Sequence, residues 1–478
     1  MYSRKSGTFA LLYAKINVKS NHLLFLTSLE SPLNKGGSEG VWKYRWLLSV
    51  LAMNKLNATL GSYLPSFFMM EVDFPFSSKD LTDSFEEKWI SIFTHEYIHF
   101  LQDISTYVGL NNAYVYSEHI HGLVNCIYQH PKGNLSVPVS MPRNYANVEL
   151  NQFVNAEGWG TLGEVNEFFL VKIEKKHKKV PFQNDLVKEL PNVVLKSAKG
   201  DKVVFGSRAI MESMAYMMER MITHGSVSAP DYPYNSAEMV VDYIYPEFGK
   251  DKLNIIALCD ACMQFSEPGK IFVQTLEVFK SLRFIPDNAN QVIDYFYSTP
   301  CIQIGKSVSM VQGLISMGMM VGDRLKLYLK GKDFKPFHNV IHKLLGFGMN
   351  ERIKNRYFML DIVRKGYVLD NPLMKRYIAS VGTPIIKDCN EDYWSILPNG
   401  ISNVNYWIDY FPAIGQVYNC LAKGQTICDM IPWCEKSPKV TVDDRCYMEP
   451  WSRVTDTYLC PYAMLWKNWN LEGYIPTI

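Results

Sequence analysis

The segment His95-Glu96-Tyr97-Ile98-His99 contains the residues of this sequence best suited to chemistry. On a helix, two histidines four residues apart lie one above the other, so both imidazoles can reach a single metal ion. Glu96 lies beside that face, where its carboxylate can take a proton from a metal-activated water and pass it to a leaving amine. Zinc suits two neutral imidazoles and a carboxylate, with one tetrahedral position left for water. The spacing therefore predicts a zinc site with Glu96 as its catalytic residue; the alternative is two core histidines without a metal.

A long helix must position this segment, and the sequence indicates where it begins and ends. Aromatic residues recur at helical spacing from Trp89 onward, as far as about Ser105. Before them, Asp83 or Ser84 can cap a helix, and Ser84 with Glu87 fits the spacing of a capping box. We therefore expect one continuous helix from this cap to about Ser105.

The neighbouring elements are predicted from the same kind of pattern. Residues 66–76 alternate in the manner of a strand, and Pro75 near their end is typical of an edge strand. An edge strand beside the active-site helix could bind an extended peptide by strand addition. Helices are also predicted over residues 112–129 and 208–223, with a hairpin over residues 193–205 before the second of them.

The HExxH pattern resembles that of the zinc metallopeptidases called zincins, and the resemblance covers this helix and a second, later one. The metzincin branch of that family requires a glycine three residues after the second histidine and a third histidine three residues later. This sequence has Gln102 and Ser105 at those positions, which excludes the metzincin branch. The resemblance that remains is to the gluzincin-like branch, in which a glutamate from a later helix is the third metal ligand.

The resemblance to gluzincins implies two candidate glutamates for the third ligand. The segment ESMAYMME, residues 212–219, is similar to the Glu-Gly-x-Ala-x-Tyr-x-Glu helix of many such peptidases, with Ser213 in place of the glycine. Glu118 follows His99 at the spacing seen in aminopeptidases, but its surroundings differ from theirs. We favour Glu212, for which the alternative is an exposed helix carboxylate paired with Arg208. The remaining candidates for the third ligand are His119, His121 and His224.

Residues that support the metal ligands and the reaction can also be proposed. A metal-binding imidazole usually donates its other N–H to a carboxylate or a carbonyl oxygen, and Asp103 and Glu219 lie at suitable helical positions. Either carboxylate could equally be a solvated helix charge. A donor for the tetrahedral oxyanion is needed as well. The sequence does not choose among the candidates near the third-ligand helix, which are Tyr216, His224, Tyr232 and Tyr234.

Composition excludes several classes of protein. The 478 residues include 49 Lys and Arg against 47 Asp and Glu, so the net charge is +2 and no nucleic-acid partner is expected. With 47% hydrophobic and 20% charged residues, the chain is expected to fold into a globular protein. Residues 1–20 lack the cleavage site of a secretory signal, and the apolar window 307–321 is shorter than the ~20 residues of a membrane span. We therefore expect a cytoplasmic protein without a membrane partner.

The predicted fold class is α+β. Two short strands are predicted over residues 8–18 and 22–29, then a helix over about residues 41–56. After residue 230 the pattern becomes mostly helical, with helix starts near Ser236, Lys252 and Pro268 and another helix over about residues 308–328. The predicted organisation is a zincin-like catalytic region with an active-site helix and a small mixed sheet (1–230), a mainly helical region (231–380) and a Cys- and Trp-rich segment (381–478).

The cysteines are predicted to be free thiols. Cys259 and Cys262 have redox spacing, but they lie in an apolar helical run, which favours buried structural thiols. Four cysteines near the end of the chain are separated by irregular gaps, so a structural zinc site is the less favoured interpretation there. These four are Cys428, Cys434, Cys446 and Cys460.

The sequence thus predicts a zinc metallopeptidase that hydrolyses peptide bonds in a peptide or protein substrate. Its predicted metal ligands are His95, His99 and Glu212, and Glu96 serves as general base and then as general acid. Two alternatives stay open at this point. One is a metal-dependent amidase or other hydrolase acting on a non-peptide substrate, and the other is a non-catalytic binding or scaffold protein that retains the HExxH helix.

Overall fold

The computed structural model describes residues 56–58, 61–64, 68–76, 86–142, 145–181, 187–223, 228–298, 301–303, 306–330, 334–402, 404 and 407–477. The helices of this part of the chain are α1 (Glu87–Ser105), α2 (Tyr107–Ile127), α3 (Ala146–Trp159), α4 (Ser207–Ile222), α5 (Asp231–Tyr234), α6 (Ser236–Ile244), α7 (Lys252–Cys262), α8 (Pro268–Ser281), α9 (Asn290–Ser298), α10 (Met310–Tyr328), α11 (Lys335–Lys354), α12 (Phe358–Arg364), α13 (Pro372–Val381), α14 (Trp407–Lys423), α15 (Ile431–Glu435), α16 (Arg445–Met448) and α17 (Pro461–Asn468). The strands are β1 (Leu56–Ala58), β2 (Gly61–Leu64), β3 (Met69–Val72), β4 (Gly133–Ser136), β5 (Leu170–Pro181), β6 (Val187–Ser197), β7 (Lys202–Val204), β8 (Cys301–Gln303), β9 (Lys306–Val308), β10 (Ile385–Lys387), β11 (Tyr393–Trp394) and β12 (Tyr474–Thr477).

Small sheets lie among these helices. The largest sheet has the strand order β1-β2-β3-β10-β11 and is mixed. Tyr63 of β2 lies opposite Met70 of β3 in an antiparallel pair, while Ile386 of β10 lies opposite Met70 in a parallel pair. Elsewhere in the described ranges, β5-β6-β7 form a second sheet, and β4-β12 and β8-β9 form two-stranded pairs. The fold is therefore α+β, as predicted.

The prediction of an edge strand over residues 66–76 is wrong. β3 is hydrogen-bonded to β2 on one side and to β10 on the other, so it lies inside the sheet. Pro75 follows the end of β3 at Val72 and therefore interrupts no ladder. The second neighbour, β10, comes from a distant part of the chain, which no local pattern could indicate. Strand addition at β3 is blocked by these two neighbours.

α1 is buried along almost its whole length, over residues 90–105. It packs against α4 and α11, and β2 lies against it as well. The approach of β2 is close, because a Cβ atom at Gly61 would lie 2.8 Å from Ile92 Cγ2 and 3.0 Å from Glu96 Oε1. Because residues 90–105 of α1 are buried, a polar side chain there is costly unless it has a partner within the protein.

α1 ends at Ser105, as predicted, but α2 begins at Tyr107, five residues before the predicted start. The hydroxyl of Thr106 accepts a hydrogen bond from the Gly109 backbone N–H at 3.1 Å and so caps α2. A Cβ atom at Gly109 would lie 2.3 Å from the Asp103 carbonyl oxygen, so only glycine allows the two helices to meet at this angle. At its other end α1 begins after Glu86, without a side-chain cap, and the predicted caps at 83 and 84 lie outside the described residues.

Most other predicted elements within the described residues are confirmed. α4 lies within one residue of its predicted limits, β6 and β7 form the predicted hairpin, and α6, α7 and α8 begin at Ser236, Lys252 and Pro268. The strands predicted over 8–18 and 22–29, and the helix predicted over 41–56 as far as residue 55, lie outside the described residues. The division into three regions stays a prediction. No helix of the described ranges combines the length and apolar character needed to cross a membrane.

Candidate metal centre

The two histidines of α1 point their outer ring nitrogens at each other. Their ring centroids lie 4.7 Å apart with an interplanar angle of 81°, and the Nε2 atoms of His95 and His99 are 3.0 Å apart. One helical turn between them brings both rings to the same side of α1, as the spacing predicted.

α4 brings a carboxylate to the same point. Glu212 Oε2 lies 3.2 Å from His95 Nε2 and 3.3 Å from His99 Nε2. All three side chains are buried. Within the described part of the chain, this is the group of His, Cys, Asp or Glu side chains whose ligand atoms lie close enough together to hold a metal ion.

The inner nitrogens of both imidazoles contact oxygen atoms. His95 Nδ1 lies 3.0 Å from Glu219 Oε2, and His99 Nδ1 lies 2.8 Å from Gln102 Oε1. The Gln102 amide nitrogen donates to the Met211 carbonyl oxygen at 3.2 Å, which assigns its oxygen to the histidine side. An oxygen acceptor at each Nδ1 favours a proton there, which leaves Nε2 as the nitrogen of each ring that can bind a metal beside Glu212.

Three acceptor atoms therefore converge at distances of 3.0, 3.2 and 3.3 Å. A tetrahedral metal with bonds of about 2.05 Å separates its ligand atoms by about 3.3 Å. A single proton can bridge only one edge of this triangle, whereas a cation can satisfy all three atoms at once. The observed triangle thus fits a divalent metal, and its donor set of two imidazoles and one carboxylate suits zinc.

The pKa shifts in the metal-free protein also indicate that His95, His99 and Glu212 together favour a positive charge at this point. Burial lowers the pKa of His95, but hydrogen bonds with Glu212 and Glu219 outweigh it and raise that pKa to about 10. Burial raises the pKa of Glu212, but hydrogen bonds from His95 and His99 outweigh it and lower that pKa to about 2. The pKa of His99 is lowered, mainly by burial. Without a metal, a proton on His95 supplies the charge that the three acceptors require.

Glu96 lies beside the triangle and is fully buried. Among the described residues, neither of its carboxylate oxygens has a hydrogen-bond partner. Burial raises the pKa of Glu96 well above its usual value, and the nearby carboxylates of Glu212 and Glu219 raise it further, against the opposing effect of His95. A carboxyl group with a raised pKa is a stronger base than an ordinary glutamate, which suits a group that accepts a proton and later transfers it.

The interpretation of Glu212 as an exposed carboxylate is wrong, because the side chain is 0% exposed. Arg208 is nevertheless near, with its Nε atom 3.7 Å from Glu212 Oε1. The same guanidinium donates through Nη1 to the Leu162 carbonyl oxygen at 2.7 Å. Glu212 therefore turns one oxygen toward Arg208 and the other toward the histidines.

The other candidates for the third ligand have different partners. Asn151 donates to Glu118 Oε2 at 2.8 Å, and His119 Nδ1 lies 3.1 Å from the Tyr418 hydroxyl. Neither side chain belongs to the group around His95, and His121 does not belong to it either. His224 lies outside the described residues.

Ser213, which stands where the gluzincin pattern has glycine, connects α4 to the segment that follows it. Its hydroxyl donates to the Pro233 carbonyl oxygen at 2.8 Å and accepts from the Ala237 backbone N–H at 3.0 Å. These bonds dock α5 and the start of α6 on α4. The hydroxyl thus has a structural task that a glycine could not perform.

Of the two predicted supporting carboxylates, Glu219 contacts the His95 imidazole and Asp103 binds a tyrosine hydroxyl. Asp103 accepts a hydrogen bond from the Tyr63 hydroxyl at 2.9 Å, and the Tyr63 ring lies at 28° to the His99 ring with centroids 6.5 Å apart. Neither Tyr63 nor the role of Gln102 was predicted from the sequence. Gln102 follows His99 by three residues, so helical spacing was a signal that could have identified it.

Among the candidate oxyanion donors, Tyr234 lies close to one of the histidines. Its ring centroid is 5.9 Å from that of His95, and burial raises its pKa, so its hydroxyl stays protonated. The Tyr232 hydroxyl lies 3.0 Å from the Val204 carbonyl oxygen and is therefore engaged elsewhere. The Tyr216 ring packs against Tyr234, with centroids 5.6 Å apart.

The cysteine predictions have separate outcomes. Cys259 and Cys262 are buried free thiols in α7, as predicted. The four cysteines near the end of the chain are also buried and free, but their sulfur atoms do not form a close metal-binding group among the described residues.

Comparisons with protein-family models, with curated proteins and with solved structures found no match to this chain.

Proposed function

We propose that this protein is a zinc-dependent metallopeptidase in which His95, His99 and Glu212 bind the metal and Glu96 is the catalytic base. The observation that supports this most directly is the convergence of three acceptor atoms within 3.3 Å, with both imidazoles held from behind by an oxygen acceptor. A divalent cation could bind all three atoms at once, whereas a proton on His95 can bridge only one pair of them.

The chain's own residues have distinct tasks in this proposal. A bound zinc ion supplies Lewis acidity and lowers the pKa of a coordinated water to about 7. Glu96, with its raised pKa, accepts the proton of the attacking water and then transfers it to the leaving nitrogen. Tyr234 is protonated and close to His95, and it donates a hydrogen bond to the oxyanion that forms on the substrate carbonyl.

A second function is favoured by a different observation, the burial of the site. Glu96, His99 and Glu212 are each 0% exposed, and closed coordination is typical of structural rather than catalytic zinc. In that case the protein would be a binding or scaffold protein whose metal ties α1 to α4. For catalysis, by contrast, the segments that cover the site must separate to admit a substrate.

The two functions differ in what Glu96 does. We expect purified protein to contain one zinc per chain and to cleave members of a peptide library, with products identified by mass spectrometry. Glu96→Gln should retain the zinc and lose all cleavage, while His95→Ala and Glu212→Ala should lose the zinc. Glu118→Gln is the matched control, since Glu118 binds Asn151 and not the histidines, and it should retain both properties.

The possible results distinguish a catalytic zinc site from a structural one. Stoichiometric zinc without any cleavage that depends on Glu96 would favour the structural metal. Wild-type protein that binds no divalent metal would reject both functions.

A further inference from the structure

Gln102 lies between the two helices that supply the metal ligands. Its side chain is fully buried in α1, and both ends of its amide are engaged. The oxygen lies 2.8 Å from His99 Nδ1, and the nitrogen donates to the Met211 carbonyl oxygen of α4 at 3.2 Å. Met211 immediately precedes Glu212, so this one side chain connects one metal ligand to the backbone beside another.

The supports of the two histidines differ in kind. His95 is held by the charged Glu219, whose carboxylate also accepts a hydrogen bond from the Ser91 hydroxyl. His99 is held by a neutral amide. An amide can accept from an imidazole N–H through its oxygen and donate to a carbonyl oxygen through its nitrogen at the same time. A carboxylate at position 102 could accept but not donate, and a thioether could do neither well.

We propose that Gln102 is a positioning residue of the metal site, which keeps the His99 proton on Nδ1 and joins His99 to the backbone next to Glu212. This inference rests on the proposed metal site. Gln102 does not touch the metal in this proposal. It orients the His99 lone pair and sets the separation between His99 and Glu212.

The substitution Gln102→Met keeps the volume of the side chain and removes both hydrogen bonds. We expect the zinc affinity, measured by competition with a chromophoric chelator, to fall about 10–100-fold, which is the usual effect of losing such a partner. Gln102→Glu restores the acceptor for His99 but not the donor to Met211. Its affinity should lie between those of Gln102→Met and the wild type.

A matched control is Gln152→Met, another fully buried glutamine, whose side chain contacts Tyr418 rather than a metal ligand. This control measures how far the zinc affinity decreases when a buried amide that does not contact a metal ligand is removed. Cobalt substitution adds a spectroscopic reading, because the visible absorption of Co²⁺ reports ligand geometry. We expect a changed cobalt spectrum in Gln102→Met and an unchanged one in Gln152→Met.

The proposal is overturned if Gln102→Met binds zinc as tightly as the wild type with an unaltered cobalt spectrum. It is also overturned if Gln152→Met loses as much affinity, because the effect would then be general destabilisation. If Gln102→Met does not fold, the decision passes to Gln102→Glu, whose affinity must fall below that of the wild type. Wild-type protein without zinc would instead reject the proposed function itself, so the two failures can be distinguished.

Discussion

Zinc binding should expel a proton from His95. In the metal-free protein, burial opposes the charged imidazole, but the hydrogen bonds with Glu212 and Glu219 prevail and raise the pKa of His95 to about 10. A metal ligand must present a free lone pair, so a zinc ion and this proton compete for the same nitrogen. The competition should appear directly in the pH dependence of zinc affinity.

The size of the effect follows from the shifted pKa. At pH 7 the medium is three units below the His95 pKa of about 10, so displacing the proton costs about 4 kcal/mol of binding free energy. The apparent zinc affinity should rise about tenfold for each pH unit, or about 30-fold between pH 7 and pH 8.5. An ordinary histidine, with a pKa near 6.5, would give almost no rise over this range.

The same proton affects the stability of the metal-free fold. Because the folded pKa of His95 exceeds the unfolded value of 6.5, its contribution is complete below pH 6.5 and is lost as the pH rises toward 10. Zinc should therefore stabilise the protein more strongly at pH 8.5 than at pH 7.

Glu219→Gln tests the cause of the shift. The variant keeps an oxygen acceptor for His95 Nδ1 but removes one of the charges that raise the pKa, so the rise of zinc affinity with pH should level off at a lower pH than in the wild type. Chelator competition at several pH values measures the slope, and calorimetry in buffers of different ionisation enthalpy counts the protons released. The Glu118→Gln control should follow the wild type. A wild-type affinity that stays flat from pH 7 to 8.5, or a Glu219→Gln affinity that levels off at the same pH as the wild-type affinity, would refute the reasoning.

Three further predictions concern stability and are checked by urea denaturation. Gly61→Ala places a Cβ atom 3.0 Å from Glu96 Oε1, so we expect a loss of about 1–3 kcal/mol; an unchanged midpoint would show that β2 can move away. Ser213→Ala removes both hydrogen bonds that dock α5 and α6, with an expected cost of about 1–3 kcal/mol, and equal stability would contradict this docking. Asp260→Ala leaves the buried Arg352 guanidinium unpaired and should cost about 3–5 kcal/mol, whereas a loss below 1 kcal/mol would mean that water reaches Arg352.

Local features of the chain allowed several elements to be predicted well. α7 begins where Asp251 caps the Leu253 backbone N–H at 2.9 Å, and α8 begins at Pro268, which suits the first turn of a helix. The arrangement of His95 and His99 also follows from spacing along one helix. Such features depend on neighbours within one or two turns, which the sequence displays directly.

Other predictions failed or stayed open because they depended on distant residues. Pro75, near the end of the segment 66–76, is typical of an edge strand, yet the pairing of Met69 with Ile385 places β3 inside a sheet. From the sequence, Glu118 and Glu212 were both candidates for the third ligand. Spacing from His99 supported Glu118, whereas the helix context supported Glu212. The packing of α4 on α1 brings Glu212, and not Glu118, to the histidines.

By itself, the sequence determined the helical stretch that carries two imidazoles and Glu96 on a single turn. The tertiary structure alone decided which carboxylate contacts the imidazoles and which side chains contact their Nδ1 atoms. It also decided which strand pairs with β3. The physical reason is that helical spacing is set by local backbone geometry, whereas a contact between residues 113 positions apart, such as His99 and Glu212, exists only after the hydrophobic core has brought two helices together.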